Sequence, residues 1–368
     1  MKKVIVYTRS GKVSPSSNYR LLQYVNNFNA DVIVRTMSSE YTYKHHANAR
    51  GKLGKLWWYT LYYCQIQCRL FHFMIKDSYD KPDCVIVQRA ISPKFVLLIN
   101  KFLINKVYSN VNNLIWDFDD EIMNSKEITV FEYNLLTKYS KTIVVTSEFL
   151  KSRLDVFARE KTILLPTTDC EFATLDINIC LTKKRMTYNN QIELLWLATS
   201  PSLPHLYKII DELDVTAKEL SDRLDKELIL HVVCNKPLTY DAQYLKIDNV
   251  IWSREVAKQM VERSHIGLMP LVNTVSSKGK GGFKIIQYMS AGIPAVASAI
   301  GYNKEIIINN ETGFLVNDED DISQWRECIL KLSENWERYS CLANASRNEW
   351  DKRFSFEDNL FKWNELIN

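Results

Sequence analysis

Short apolar runs alternate with helical patterns along both halves of the chain. Runs rich in β-branched residues, without strict alternation of apolar and polar positions, are typical of strands buried on both faces of a parallel sheet. The sequence predicts twelve such strands, at 4–7, 32–35, 84–88, 113–116, 142–146, 162–165, 192–198, 228–233, 249–252, 266–269, 295–298 and 313–316.

Helical periodicity fills the intervals between these strands. The predicted helices are 18–28, 53–76, 94–104, 129–139, 148–157, 203–224, 255–264, 283–291, 322–333 and a tail at 347–367. Repeated strand–helix units indicate doubly wound α/β domains. Residues 166–190 are polar and turn-rich, so we predict a linker there. The predicted domains are 1–170 and 171–350, followed by a C-terminal helix at 351–368.

Composition adds one marked asymmetry. The 368-residue chain has a net charge of +4, but residues 1–76 hold twelve Lys and Arg against Asp31 and Glu40. That excess of +10 predicts an anionic partner for this part of the chain. The eight cysteines form no CxxC pair, which favours free thiols in a reducing compartment. We find no signal-peptide pattern and expect a cytoplasmic protein.

Glycine is concentrated where unusual backbone geometry would be needed. Seven of the ten glycines lie between positions 267 and 313. Gly281 and Gly282 precede a predicted helix that opens at Phe283, and Lys278, Lys280 and Lys284 lie around this point. Close-approaching backbone N–H groups, a helix N-terminus and three lysines together predict an anion-binding cradle for phosphates. The alternative is an exposed basic loop that only caps the helix.

This segment resembles a known family. KGKGGFKIIQYMSAGIPAVAS and IGYNKEIIINNETGFLV look like the donor-binding half of group 1 (family 4-like) glycosyltransferases of the GT-B fold. LLWLATSPSLPHL and RNEWDKRFSFEDNLFKW resemble the opening of their second domain and their C-terminal helix. LIWDFDDEI resembles a turn of their first domain, although the N-terminal half agrees only in order and fragments. The resemblance implies two Rossmann-like domains facing across a cleft.

The resemblance also implies a reaction and a set of residues. Such enzymes transfer a sugar from a nucleotide diphosphate, with retention and without an essential metal or other cofactor. Lys284 would act on the diphosphate as a catalytic group. The donor-binding residues implied are Ser200, Ser202, Lys280, Gly281, Gly282, Gln287 and Asn303.

The chain departs from the family at one pair of positions. Many relatives carry two glutamates eight residues apart, where this chain has Gly279 and Gln287. An amide can still hydrogen-bond a ribose hydroxyl, but it carries no charge. Three alternatives therefore stay open: a retaining transferase, an inverting one, and an inactive nucleotide-sugar-binding or scaffold protein.

Three aspartates follow the predicted strand 113–116. Asp117, Asp119 and Asp120 should project at the carboxyl end of that strand, where ligands bind in such sheets. We select Asp119 and Asp120 as catalytic candidates that orient or deprotonate an acceptor hydroxyl. A cation site and a solvated turn with one helix N-cap are the alternatives. The acceptor-side candidates are Ser16, Ser17, Arg20 and Arg89.

The basic excess includes residues 44–76, which contain seven Trp, Tyr and Phe residues between 57 and 73 and no acid. Aromatic and basic residues together are typical of helices at membrane interfaces. We predict an anionic membrane surface as a partner and a peripheral location at the inner face of the membrane. The alternative is a helix that packs on its own domain. A nucleic-acid partner is not expected, because no recognised binding motif accompanies the charge. Relatives often build bacterial surface polysaccharides, so a glycan or lipid-linked acceptor is expected.

Overall fold

The computed structural model of the chain describes residues 1–317 and 319–368. The packing of the backbone divides it into two compact units. The first unit comprises Met1–Thr167 together with Glu357–Asn368, and the second comprises Thr168–Phe356. The sequence predicts divisions after residues 170 and 350, a few residues from these bounds.

The first unit is built on a six-stranded parallel sheet. Its strands are β1 (Lys3–Thr8), β2 (Asp31–Thr36), β3 (Cys84–Gln88), β4 (Asn113–Phe118), β5 (Thr142–Val145) and β6 (Thr162–Leu164). They lie in the order β2-β1-β3-β4-β5-β6, with every pair parallel. The order reverses between β1 and β3, so the loops that follow these two strands flank a topological switch point.

Helices cover both faces of this sheet. They are α1 (Pro15–Ser17), α2 (Glu40–Asn48), α3 (Lys52–Asp80), α4 (Leu98–Asn110), α5 (Val130–Tyr139), α6 (Glu148–Ser152) and α7 (Val156–Glu160). The predicted helix 18–28 is wrong in type, since the structure has a π-helical turn at Asn18–Leu22 and a 3₁₀ turn at Val25–Asn27. The predicted helix 148–157 is two short helices, because Asp155 caps the start of α7 through the amide of Ala158.

The chain's last residues return to the first unit. The helices α16 (Trp336–Arg353) and α17 (Phe356–Ile367) form the predicted helical tail in two pieces. The side-chain amide of Asn113 donates to the carbonyl of Leu366 at 2.8 Å, and the rings of Phe28 and Trp363 lie 6.5 Å apart. Trp363 is 1% exposed, so α17 contributes to the core of the first unit.

The second unit repeats the same architecture. Its strands are β7 (Gln191–Leu197), β8 (Glu227–Cys234), β9 (Lys246–Ile251), β10 (Ile266–Met269), β11 (Ala295–Ser298) and β12 (Gly313–Val316). The order β12-β11-β10-β7-β8-β9 is again parallel throughout. Its switch point lies between β7 and β10. The twelve strands and the two doubly wound units confirm the predicted fold class.

The remaining helices pack on this second sheet. They are α8 (Ile177–Tyr188), α9 (Leu203–Tyr207), α10 (Ile210–Leu224), α11 (Arg254–Arg263), α12 (Val275–Lys278), α13 (Phe283–Ser290), α14 (Asn303–Ile306) and α15 (Gln324–Ser333). The α8 helix is a correction, because the sequence indicates a linker over 166–190. Lys184 on α8 is buried, and its ammonium donates to the carbonyls of Glu262 and Ala291 at 3.0 Å each.

Gly267 in β10 gives a test of the sheet's packing. A Cβ at this position would lie 2.2 Å from the ring of Tyr288, which is fully buried and donates through its hydroxyl to the carbonyl of Leu268. Because that ring cannot move aside, Gly267→Ala should lower the free energy of unfolding by about 3 kcal/mol, measured by urea denaturation.

Gly54→Ala is the matched control for this substitution. Gly54 lies in α3, and no atom stands within 4 Å of the position its Cβ would take. The added methyl should stabilise the protein by up to about 1 kcal/mol through helix propensity. Equal effects of the two alanines would contradict the packing described here.

Candidate functional site

The predicted anion cradle lies at the switch point of the second unit. We define the anion cradle as the 3₁₀ turn Ser200–Ser202 after β7, the loop 270–282 after β10, and the first turn of α13. Carboxyl ends of strands beside a switch point form the usual ligand crevice of an open α/β sheet. The structure therefore brings the predicted serines, glycines and lysines to one edge of one sheet.

Backbone geometry explains the glycines of the cradle. Gly282 is the N-cap of α13 with a φ of +61°, and a Cβ there would lie 2.1 Å from the side chain of Ile306. Gly301 has a φ of +54°, and its Cβ would lie 2.3 Å from the carbonyl oxygen of Lys278. Only glycine satisfies both the left-handed backbone and the close approach at these positions. The start of α13 is thus held at a fixed place relative to the loop.

Positive charge converges on the cradle. Burial, together with the neighbouring charges of Lys280, Lys284 and Lys208, lowers the pKa of His205 to about 4. Those three lysines come from the loop before α13, from α13 itself and from the residue after α9. Three cations that act on one partly buried site favour an anionic ligand there.

The predicted serines lie in the turn on the other side of the switch point. The amide of Ser200 donates to the side chain of Asn235, which follows β8, at 2.7 Å. The amide of Ser202 donates to the carbonyl of Thr199 at 2.9 Å. These bonds fix the turn while leaving the hydroxyls of both serines at its partly exposed surface.

Gln287 has a partner that the sequence did not indicate. Its amide nitrogen donates to Asp169 at 2.8 Å, and Gln287 is only 8% exposed. Asp169 also receives two hydrogen bonds from the guanidinium of Arg254, which binds Glu171 as well. The orientation of the Gln287 amide is therefore set, with its nitrogen directed to Asp169. No local motif links residues 118 positions apart, so only the folded chain reveals this contact.

Asn303 has a supporting place beside the cradle. It opens α14, is 1% exposed, and donates from its side-chain amide to the carbonyl of Ser298 at 3.0 Å. The hydroxyl of Ser298 in turn accepts from the amide of Leu271 at 2.9 Å. Asn303 is thereby linked, through Ser298 at the end of β11, to the first residues of the cradle loop.

The first-domain candidates also meet, within the first unit. Arg89, with a φ of +57°, binds Asp119, Asp120 and Glu127 at 3.1, 2.9 and 2.8 Å. Ser16 donates to Asp119 at 2.6 Å. We call these five residues the carboxylate cluster. Although burial opposes the charge of Arg89, the three carboxylates raise the pKa of its guanidinium well above the usual range.

The members of the carboxylate cluster differ in access. The Asp119 side chain is 13% exposed and that of Asp120 is 45% exposed. Burial raises the pKa of Asp119, and Asp120 raises it further, whereas Arg89 lowers it. The solvated-turn alternative is wrong for Asp119, because its carboxylate is held by Arg89 and Ser16. Asp120 is the more accessible of the two aspartates.

Arg20 and Ser17 lie beneath this cluster. Arg20 is 1% exposed and donates to Asp117 at 2.8 Å and to the carbonyl of Leu165. Burial raises the pKa of Asp117 to about 7 against the lowering effect of Arg20. Ser17 donates to Gln88 at 2.9 Å. These contacts position the loop after β1, so Arg20 and Ser17 act as supports of the predicted acceptor side.

The described residues can be compared with the ligand sets that hold metal ions. Within residues 1–317 and 319–368, no group of three His, Cys, Asp or Glu side chains is arranged to hold a metal ion. In the carboxylate cluster, the cation that neutralises the aspartates is the guanidinium of Arg89.

The α2–α3 hairpin, residues 40–80, exposes large apolar side chains near the start of α3. Leu53, Leu56, Trp57 and Tyr59 are 52–83% exposed, and the first buried residue of α3 is Ile66. Two concavities of about 490 and 340 Å³ flank the hairpin, lined in part by its basic residues. The alternative of a helix that packs on its own domain therefore holds only for the C-terminal half of α3. No helix in the described residues is long and apolar enough to cross a membrane.

Comparison with known proteins agrees with these observations. Residues 204–335, which include most of the anion cradle, match the family described as glycosyl transferases group 1. The resemblance is confirmed. No curated protein matches the sequence.

Solved structures of two-domain glycosyltransferases share the fold of the whole chain. HepE of Anabaena, crystallised with UDP and glucose, is 13% identical over 100% of this chain and 99% of its own, with a TM-score of 0.66. A glycosyltransferase of Rickettsia africae is 14% identical over 100% and 98%, with a TM-score of 0.64. Sucrose-phosphate synthase of Thermosynechococcus elongatus is 11% identical over 100% and 98%, with a TM-score of 0.63. The fold is GT-B.

Asp169 explains why a glutamate is unfavourable at position 287. Gln287→Glu would place a second carboxylate about 2.8 Å from Asp169 in a buried site. Repulsion should raise the pKa of the new glutamate above its unfolded value of about 4.3, so the penalty is small near pH 4, grows as the pH rises towards the raised pKa, and is complete above it. We expect a loss of about 2 kcal/mol at pH 8, measured by urea denaturation at both pH values.

The control exchanges the two groups. Asp169→Asn combined with Gln287→Glu restores one carboxylate and one amide, and it should recover most of the lost stability. A single Gln287→Glu variant that unfolds with the wild-type free energy at pH 8 would show that this contact is unimportant.

Proposed function

We propose that this protein is a glycosyltransferase that moves a sugar from a nucleotide-diphosphate sugar to the hydroxyl of an acceptor. The observation that carries the proposal is the anion cradle at the switch point, inside the segment that matches group 1 glycosyltransferases. HepE, which shares the fold, was crystallised with UDP-glucose. That complex supports a nucleotide-sugar donor for this chain too.

The cradle suits the charge that develops in such a reaction. As the bond between the anomeric carbon and the phosphate oxygen breaks, negative charge grows on the departing diphosphate. Lys284, in the first turn of α13, together with Lys280 would stabilise that charge, and the amides around Gly281 and Gly282 would donate to it. Ser200 and Ser202 would contact the donor from the turn after β7. Retention and independence of a metal are parts of the proposal that rest on the family resemblance.

The acceptor side of the proposal uses the carboxylate cluster. Asp120 would accept the proton of the attacking hydroxyl or orient that hydroxyl, since it is the exposed member of the cluster. Asp119, Ser16 and Arg89 would hold it in place. The acceptor is proposed to be a glycan or a lipid-linked sugar.

A second candidate is an inactive nucleotide-sugar-binding or scaffold protein. The observation that favours it is the absence of the glutamate pair: position 279 has no side chain, and Gln287 is bound to Asp169. Turnover of the donor separates the two candidates, because a scaffold would bind the nucleotide sugar without consuming it.

We further propose that the α2–α3 hairpin binds an anionic membrane surface. Lys44, Arg50, Lys52 and Lys55 accompany the exposed apolar residues of the hairpin, and Glu40 is the single acid of α2. Each basic residue near an anionic surface contributes about 1 kcal/mol. Peripheral binding of this kind would bring the first unit, which contains the carboxylate cluster, close to a lipid-linked acceptor.

Lys284→Ala tests the donor site. In a thermal-shift panel of UDP-, GDP- and dTDP-sugars, the cognate donor at 100 times its dissociation constant should stabilise the wild type by about 2.7 kcal/mol. Lys284→Ala should lower turnover of that donor roughly 10²–10³-fold, the loss seen when one oxyanion donor is removed. The reason is that Lys284 binds the transition state more strongly than the ground state.

Lys278→Ala is the control for a general loss of charge. Lys278 ends α12 and is exposed. Its substitution should leave turnover within a few-fold of wild type. Full activity of Lys284→Ala would place the phosphate site elsewhere, and stabilisation by a donor without any turnover would favour the scaffold candidate.

Vesicle co-sedimentation tests the membrane surface. At low salt the protein should bind vesicles that contain anionic lipid, and it should be released at high salt because screening shortens the reach of its charge. Trp57→Ser should weaken binding about tenfold, because an aromatic side chain that would be buried in the lipid on binding is lost.

Phe361→Ser is the matched control for this change. Trp57 and Phe361 are both 63% exposed, but Phe361 lies on α17, away from the basic hairpin sequence. Equal sedimentation on neutral and anionic vesicles, or equal weakening by both serines, would contradict a role for the hairpin.

A further inference from the structure

His205 connects the two sides of the anion cradle. It lies in α9, directly after the Ser200–Ser202 turn that follows β7. Its Nδ1 atom lies 3.0 Å from the backbone nitrogen of Val272, in the loop that follows β10. One imidazole therefore spans the switch point at which β7 and β10 end.

This contact determines which ring nitrogen carries the proton. A backbone N–H can only donate, so Nδ1 of His205 must accept and cannot be protonated. In a neutral imidazole the single proton then resides on Nε2. His205 thus presents a fixed N–H donor on the side of the ring opposite to Val272.

The charges around His205 keep its ring neutral. Lys208 after α9, Lys280 in the loop and Lys284 in α13 are the charged groups that act on it, and all three are cationic. Together with burial they hold the pKa of His205 at about 4, far below physiological pH. A bound anion would supply this neutral donor with a charged acceptor among the three cations.

We propose that His205 is a donor-binding residue, whose Nε2–H hydrogen-bonds the diphosphate of the nucleotide sugar. The inference rests on the proposed function and adds a residue that neither the family match nor the motif analysis assigns. The geometry that carries it is the bond from Val272, the place of His205 at the switch point, and the lysines that surround it.

A neutral imidazole contributes something that the lysines do not. An ammonium group attracts an anion from many directions, whereas an N–H held by a fixed ring has one direction. A hydrogen bond to an ionised acceptor is stronger than one between neutral groups, and it strengthens as charge grows on the leaving diphosphate. His205 would therefore orient the diphosphate that Lys280 and Lys284 attract.

Two substitutions separate the two nitrogen atoms of the ring. His205→Asn keeps an acceptor near the position of Nδ1 for Val272, but it lacks a donor at the position of Nε2. His205→Gln can extend an amide N–H to that position. Binding of UDP and GDP by calorimetry should be weakened about 10- to 100-fold in the asparagine variant, as expected for one hydrogen bond to a charged group, and about threefold or less in the glutamine variant.

Nitrogen-15 NMR of the histidines provides a readout that a merely structural role would not change. In the free protein at pH 7, His205 should show the neutral form protonated at Nε2, assigned by the loss of its signals in His205→Gln. Addition of the nucleoside diphosphate that binds should shift the Nε2 signal. Uridine, which has no phosphate, should leave it unchanged.

The outcomes distinguish this inference from the proposed function. If wild type binds UDP or GDP and His205→Asn binds it equally well, the inference is overturned while the proposed function stands. Weakening in the glutamine variant that equals or exceeds that in the asparagine variant would also overturn it, because restoring a donor at the Nε2 position would then restore no binding. If wild type binds no nucleoside diphosphate, both the proposed function and the inference fail.

Discussion

Within each sheet every strand runs parallel to its neighbours, so all six strands end at the same edge. That arrangement places the loops after β7 and β10 side by side, although they are separated by some seventy residues of chain. The same constraint gathers the loops after β1, β3 and β4 in the first unit. Both candidate sites therefore lie where they do because the strands of each sheet are parallel. The strand direction brings the loops together, and the side chains of those loops complete each site.

Much of this architecture could be predicted from the sequence, because parallel strands buried on both faces leave a local signal. The twelve predicted apolar runs are all strands in the structure, and the glycine-rich segment before Phe283 lies at the switch point of the second sheet. Helix positions were less secure. Residues 18–28 carry a helical pattern but form π and 3₁₀ turns, since Arg20 must reach Asp117 and the carbonyl of Leu165 in the core.

The features that could not be predicted from the sequence are contacts between residues that lie far apart in the chain. Residues 177–188 have the composition of a polar linker, but they form a helix. Lys184 of this helix is buried because its ammonium binds the carbonyls of Glu262 and Ala291. Gln287 looks like a weakened ribose ligand until Asp169 and Arg254 are placed beside it. Arg89 is an acceptor-side candidate in the sequence, but the three carboxylates that bind it are revealed only by the structure. In each case the partner is remote in the chain, so no spacing rule reveals it.

The contacts that anchor the cradle loop have an energetic consequence for ligand binding. Its start is tied by Leu271 to Ser298 and by Val272 to His205, and Lys278 near its end packs against Gly301. A loop anchored at both ends loses little conformational entropy when an anion binds. More of the intrinsic interaction energy then remains as net affinity, which is the advantage of a preorganised receptor over one that must order itself around its ligand.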